Sequence, residues 1–259
     1  LTLRGRLYGS SNGTLLCEAT IDPSTVRDGG ADARECVYKP VAGERPLWDF
    51  PDHTLGHREV AAYLMAQLFH ELDPDVPRLV PVTVWRDEGP MGPGACQSWI
   101  PDADVALVDI VPPDQVPDGW RTVLVGEDDD GQRHVLAHAD DPCLRRMALF
   151  DLVVNNSDRK GGHILSTPTG ALYGVDHGLC FSVDDKVRTV LWGWAGDELD
   201  DRERTVLDGV LTTLRDRGLE EHLTSDEIEV TLERAHRLLR RGRFPRPSGG
   251  WPAIPWPAF

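Results

Sequence analysis

Two carboxylates eighteen residues apart carry the chemistry of this 259-residue chain. Asp158 follows the apolar run Phe150-Asp-Leu-Val-Val and stands in a polar loop, Asn155-Asn-Ser-Asp-Arg-Lys-Gly-Gly-His163. Asp176 ends the short apolar stretch Ala171-Leu-Tyr-Gly-Val175, and His177 and Gly178 follow it. Lys160 stands two positions after Asp158. Phosphoryl transfer needs such a set: a carboxylate to orient the attacking hydroxyl, a cation on the moving phosphoryl, and a second carboxylate to hold a metal. Each residue alone has a plainer reading: a turn-capping Asp-Arg ion pair, a solvated loop lysine, a turn aspartate. The pairing of the two segments favours the chemical one.

The elements that must position these residues are legible in the patterning. Residues 3–20 alternate as strand, turn and strand, with Gly9-Ser-Ser-Asn-Gly13 as the turn. Residues 22–34, rich in Asp, Gly and Pro, read as a loop. Glu35 to Pro40 reads as a third strand that the proline stops. Residues 43–56 look irregular. Val60, Ala61, Leu64, Met65 and Leu68 mark one face of a helix over 57–71. Two further strands are expected over 78–86 and 95–100. Residues 101–117 are acidic and proline-rich, and 126–133 read as a solvated turn. A helix is expected over 142–154, directly before Asp158, and two amphipathic helices over 201–217 and 224–241. In the last of these, Glu227 and Glu229 come early and Arg240 and Arg241 late, as the helix dipole favours. The tail 244–259 holds five prolines and two tryptophans and reads as extended.

Composition narrows the classes of function. An apolar content of 40% supports a real core, and no apolar run approaches the roughly 20 residues of a membrane-spanning helix. The opening Leu1-Thr-Leu-Arg-Gly-Arg has no apolar signal region, and it lacks a methionine, as a trimmed start would. Five scattered cysteines with no Cys-x-x-Cys pair argue against a disulfide framework or a zinc site and point to the cytoplasm. A net charge of −16 disfavours nucleic acid and anionic membranes as partners. His134 and His138 have a spacing that binds zinc on a helix, but the glutamate of a metalloprotease motif is missing and the segment looks strand-like or irregular. Trp192 and Trp194 follow the second motif and read as core or as a substrate platform.

Asp158-Arg-Lys-Gly-Gly-His163 and Asp176-His-Gly178 resemble the catalytic loop and the Asp-x-Gly metal motif of the atypical kinases. That group holds the phosphatidylinositol 3- and 4-kinases, the HipA-type protein kinases and a class of secreted kinases. The chain is most similar to the actinobacterial phosphatidylinositol 3- and 4-kinase-like proteins. The resemblance covers most of the chain, but only these two motifs are sharp. It implies an α+β, two-lobed, protein-kinase-like fold, with residues 1–100 as the first lobe, 101–243 as the second and 244–259 as a tail. It implies ATP and a divalent metal, Mg2+ or Mn2+, as cofactors, and a phosphoryl acceptor. With the net charge, that acceptor is expected to be a soluble protein or small molecule rather than a membrane inositol lipid.

Residue by residue, the resemblance makes Asp158 the base or orienter, Lys160 the cation at the γ-phosphate and Asp176 the main metal ligand. Lys39 matches the strand lysine that holds the α- and β-phosphates, and Glu59 the helix glutamate that pairs with it. Gly9, Ser10 and Ser11 stand where backbone N–H groups would cover the phosphates, although a plain hairpin turn fits them equally. Gln97 and Trp99, in the segment 97–100, stand at the hinge where adenine would lie. His163 departs from the pattern, because an asparagine usually holds the second metal position there. An imidazole suits manganese better than magnesium; otherwise His163 lies behind the ligands or is structural. That departure keeps open a nucleotide-binding pseudokinase acting as an interaction module. Nucleotidyl transfer on the same fold is the other open reading, and a zinc hydrolase is more distant.

Overall fold

A computed structural model describes residues 1–7, 12–20, 33–101, 103, 105–247, 249 and 252–259. The expected turn at Gly9, Ser10 and Ser11 lies outside these residues, as does nearly all of the expected loop 22–34. The described residues form an α+β structure with three antiparallel sheets and four α-helices.

The first sheet comprises β1 (Thr2–Arg6), β2 (Leu15–Thr20), β3 (Ala33–Pro40), β4 (Thr83–Arg86) and β5 (Gly94–Ser98), in the order β1-β2-β3-β5-β4. Cys17 faces Cys36 across β2 and β3, and Lys39 faces Ala95 across β3 and β5. Strand side chains alternate between faces. Leu15, Cys17, Cys36, Tyr38 and Cys96 accordingly share a small core on one side. Val37 and Lys39 go to the other, which is the side that lines a cleft. Pro40 is the last residue of β3, as its missing N–H dictates.

Helix α1 (Leu55–Leu72) packs against β4 and β5 on one side and against two further helices on the other. It is therefore buried on several faces: Ala61, Met65, Ala66, Leu68 and Phe69 are inside, and so are the charged Arg58 and Glu59. Its first N–H groups are satisfied by Glu44, whose two carboxylate oxygens accept from Leu55 N at 3.2 Å and Gly56 N at 2.8 Å.

The second sheet holds β6 (Val108–Val111), β7 (Trp120–Glu127) and β8 (Arg133–Ala139) in the order β6-β8-β7, followed by α2 (Pro142–Val154). Asp141 caps α2 by accepting from Cys143 N and Leu144 N, with Pro142 opening the helix. The short hairpin of β9 (Ile164–Ser166) and β10 (Leu172–Gly174) follows. Helices α3 (Asp201–Thr213) and α4 (Ser225–Arg241) each open on a reciprocal capping box, Asp200 with Glu203 and Thr224 with Glu227. The main core lies among the four helices, where Phe69 meets Phe150 edge to face at 5.4 Å.

Several expectations change in detail. The strand expected over 78–86 narrows to β4, and α3 ends at Thr213, where a 3-10 turn and then Gly218 at φ 71° redirect the chain. A strand, β6, runs through the acidic, proline-rich stretch 101–117. The solvated turn at 126–133 is the tip of the β7–β8 hairpin. No helix of the described residues is long and apolar enough to cross a membrane.

Candidate functional site

Lys39, Glu59 and Asp176 come from three separate elements and meet at one point. Lys39 reaches off β3 and its ammonium pairs with Glu59 of α1. The same ammonium donates to Asp176 Oδ1 at 2.9 Å. Asp176 follows β10 with φ 61°, a left-handed conformation that aspartate tolerates better than most residues. The Lys39 ammonium holds the Asp176 carboxyl well below the usual carboxylate range. Burial would lower the pKa of Lys39, but the Asp176 and Glu59 carboxylates outweigh it and push the ammonium above its ordinary value. Lys39 is thus a fixed, permanent cation.

Asp158 sits in a loop pinned from both ends. Helix α2 ends at Asn155, which turns left-handed at φ 55°. Its side chain donates to the carbonyls of Ser182 and Asp184 and accepts from Lys186 N. Asn156 accepts from Asp158 N at 3.0 Å and donates to Asp151 at 3.0 Å. Arg159, fully buried, makes a two-pronged 2.9 Å pair with Asp151. Its remaining N–H groups donate to the carbonyls of His163 and Val175 and to His177 Nε2 at 2.7 Å. Arg159 therefore ties the loop of Asp158 to the strand end that carries Asp176. An added Cβ at Gly174 would lie 2.9 Å from that guanidinium, so glycine is required there.

The Asp158 carboxylate itself is about one-fifth exposed and has Lys160 Nζ at 3.7 Å. Burial pushes its pKa up, with Asp176 adding to the rise, while Lys160 and Arg188 oppose it. A carboxylate so placed is a stronger proton acceptor than one in water.

His163 meets Asp176 through a defined tautomer. Its Nδ1 lies 2.9 Å from the Asp158 carbonyl, which can only accept, so Nδ1 carries the proton. Burial pushes the ring down to about 4, although Asp176 opposes the shift, so it is neutral at pH 7. Nε2 is then a bare lone pair, 3.5 Å from Asp176 Oδ2. Two acceptors facing each other call for a cation between them, so this donor pair fits a divalent metal. The described residues hold no group of three or more His, Cys, Asp or Glu side chains suited to a metal. The protein can supply two ligands, and any others must come from a bound molecule or water.

Two cavities open on this point and share Lys39 and Asp176. The first, about 380 Å³, is lined largely by apolar groups, among them Val37, Ile100, Leu165 and Val175, together with Gln97 and Trp99. Gln97 is buried and donates to Thr83. The N–H groups of Ser98 and Trp99 donate to the carbonyls of Val82 and Glu35, so neither is free to meet a base. The second cavity, about 370 Å³, is the more polar of the two and brings Glu59, Asp158, Gly178, Gly13 and Thr14 around the same cation. Of the expected site residues, Lys39, Glu59, Asp158, Lys160, His163 and Asp176 are gathered together. Gln97 and Trp99 lie at the apolar end, and Gly9, Ser10 and Ser11 fall outside the described residues.

Two readings left open are narrowed. His134 and His138 lie on an extended strand, where four residues span about 13 Å, too far for one zinc ion. His134 pairs with Asp128, and both ring nitrogens of His138 are engaged, by Ala139 O and Gly193 N. Trp194 is fully buried, with its N–H on Asp140, and is core rather than a platform. Trp192 donates to Ala253 of the tail. The tail itself packs on the loop: Gly161 N donates to Ala258 O at 2.8 Å, and a Cβ on Gly161 would lie 2.1 Å from the Phe259 ring.

No protein-family model matches the chain. Protein Rv2133c of Mycobacterium tuberculosis (strain ATCC 25618 / H37Rv) is 45% identical to it over 272 residues, a match that covers 100% of this chain and 92% of that protein. Similarity of that extent spans every element described above, and the chain belongs to the same family as Protein Rv2133c.

Proposed function

We propose that the chain is an ATP-dependent phosphotransferase with a two-lobed, protein-kinase-like architecture of the phosphatidylinositol 3- and 4-kinase-like group. One observation carries the reading: the Lys39 ammonium, held between Glu59 and Asp176, faces a cavity that also contains Asp158. A permanent cation pinned by two carboxylates beside a third is the arrangement that positions phosphates and activates an acceptor hydroxyl. In this reading residues 1–100 form the first lobe and the apolar cavity takes the adenine. Lys39 binds the α- and β-phosphates, and Glu59 keeps it in place.

Asp176 and His163 would hold the metal, which supplies charge neutralisation at the phosphates. Asp158 accepts a hydrogen bond from the acceptor hydroxyl, aligns its oxygen and takes its proton as the new ester bond forms and the bond between the γ-phosphorus and the bridging oxygen breaks, releasing ADP. Lys160, beside Asp158, offsets charge on the moving phosphoryl group. The net charge of −16 favours a soluble protein or small-molecule acceptor over an inositol lipid in an anionic membrane. Five unpaired cysteines suit the reducing cytoplasm.

The test is label transfer. The purified chain is given ATP labelled at the γ- or the α-phosphate, with Mn2+ or Mg2+, and a panel of protein and small-molecule hydroxyl acceptors. γ-Label on an acceptor or on the chain itself supports the reading. α-Label on the acceptor replaces it with nucleotidyl transfer. ATP binding with neither label transferred replaces it with a pseudokinase.

A further inference from the structure

A third cavity, of about 280 Å³, lies away from Lys39 and Asp176, between α4, the loop 182–187 and the tail. In a chain of net charge −16, its charged lining is five cations and one carboxylate: Lys186, Arg234, Arg237, Arg241 and Arg246 around Asp185. Arg234, Arg237 and Arg241 recur at three- and four-residue spacing, which puts them on one face of α4.

The local pairing leaves this charge far from neutralised. Asp185 takes both Arg234 Nε at 2.9 Å and Arg237 Nη2 at 2.7 Å, so its two oxygens are used. Arg234 Nη2 donates to the carbonyls of Ser182 and Val183, but its Nη1 is buried with no partner among the described residues. Lys186 is turned to Asp49. Arg241 and Arg246 have no ion pair or hydrogen bond among the described residues. A guanidinium on the last turn of a helix is favoured by the helix dipole, which accounts for Arg241 alone. It does not account for Arg246, whose guanidinium lies against Gly196: a Cβ there would be 2.8 Å from Nη2, and the glycine's φ is 96°. Pro245 and Pro247 on either side restrict its backbone. The backbone of Arg246 is thus restricted at the edge of the cavity, and its side chain is exposed there. Burial, with Arg237 beside it, draws the Arg234 guanidinium below its ordinary pKa in spite of Asp185.

We propose that this cavity is a binding site for the phosphate group of a small phosphorylated molecule, held by Arg237, Arg241 and Arg246 over the base formed by Arg234. Guanidinium groups in this number match phosphate oxygens by paired, charge-assisted hydrogen bonds. The cavity has room for a pyrophosphate-sized ligand. The site does not depend on the kinase reading, since it shares no residue with the Lys39 cleft. It does contact that cleft through the loop: Arg188 N donates to Asn156 O, and Arg159 N donates to Arg188 O.

The experiment is calorimetric titration of the full chain with inorganic pyrophosphate in EDTA, which removes metal-assisted binding at Asp176. Wild type is expected to bind, and Arg246→Gln and Arg241→Gln each to weaken binding about tenfold, the loss of one charge-assisted contact. Neither arginine has a polar side-chain partner among the described residues, so both variants should melt close to wild type, Arg241→Gln giving up only its contact with the helix dipole. In Lys39→Met, where any binding at the first cleft is weakened, the binding that depends on Arg241 and Arg246 is expected to remain. No heat up to millimolar pyrophosphate overturns the proposal. So does binding that Lys39→Met abolishes while both arginine variants retain it.

Discussion

Replacing Lys39 by methionine should separate what the lysine does for the fold from what it does for the site. Its two partners differ in environment: Glu59 is 2% exposed, whereas Asp176 is 56% exposed. Asp176 loses little when its partner goes, because water can solvate it. Glu59 is left as a buried carboxylate, and its Oε2 already lacks a partner. Breaking a buried pair by removing one member costs about 3–5 kcal/mol. Lys39 is itself one-fifth exposed, so water entering from the cleft brings the cost toward the lower figure, about 3 kcal/mol. Against a usual total of about 5–15 kcal/mol, Lys39→Met should fold but unfold at clearly lower urea. Adding Glu59→Gln removes the stranded charge and should return most of that loss. ATP affinity should behave differently: down by about 10–100-fold in Lys39→Met, for one charge-assisted contact, and no better in the double variant. Urea titration followed by tryptophan fluorescence, with ATP calorimetry on the same three proteins, measures both. The reasoning fails if the double variant is no more stable than Lys39→Met, or if either variant binds ATP as wild type does.

Arg159→Lys keeps the charge but not the two-pronged contact with Asp151 or the donors to His163, Val175 and His177; a loss of about 3 kcal/mol in urea unfolding is expected, and a loss under 1 kcal/mol would show that the buried network is not what holds the loop. Activity with Mn2+ should exceed that with Mg2+, and His163→Asn should narrow the gap, because it exchanges an imidazole lone pair for an amide oxygen; steady-state rates with both metals decide, and an unchanged metal ratio would remove His163 from the metal. Gly161→Ala drives a methyl into the Phe259 ring and should cost about 1–2 kcal/mol; in Gly161→Ala/Phe259→Ala the two effects should fall short of their sum, and strict additivity in a double-mutant cycle would place the strain elsewhere.

Much of this was legible in the sequence. The proline after Lys39, the periodic apolar face of α1 and the early acids and late arginines of α4 mark elements by local rules, and the structure has those elements there. The second sheet was not legible. Strand β6 has only four residues, β7 is exposed along most of its eight, and acidic turns flank them, so no clean alternation stands out. At the site, the clustering of Lys39, Glu59, Asp158 and Asp176 came from spacing and resemblance. The network behind it did not, because Asp151 reads as a polar interruption in an apolar helix until Arg159 is seen to fold back on it. Asn155 carried a usable signal, an asparagine just past a helix end, where left-handed backbone is common. The contact of Phe259 with Gly161 joins residues almost a hundred positions apart, and no local pattern reports such a pairing.

The central claim is that Asp158 acts on the acceptor and Asp176 on the metal and its phosphates. Single-turnover transfer from γ-labelled ATP, alongside ATP titration, tests it in wild type, Asp158→Asn and Asp176→Ala. Asp158→Asn should bind ATP as wild type does and transfer at least about 10²-fold more slowly, since an orienting base acts mainly in the transition state. Asp176→Ala should lose metal-dependent ATP binding and transfer together. Transfer by Asp158→Asn at the wild-type rate, or unchanged metal dependence in a folded Asp176→Ala, would contradict the account.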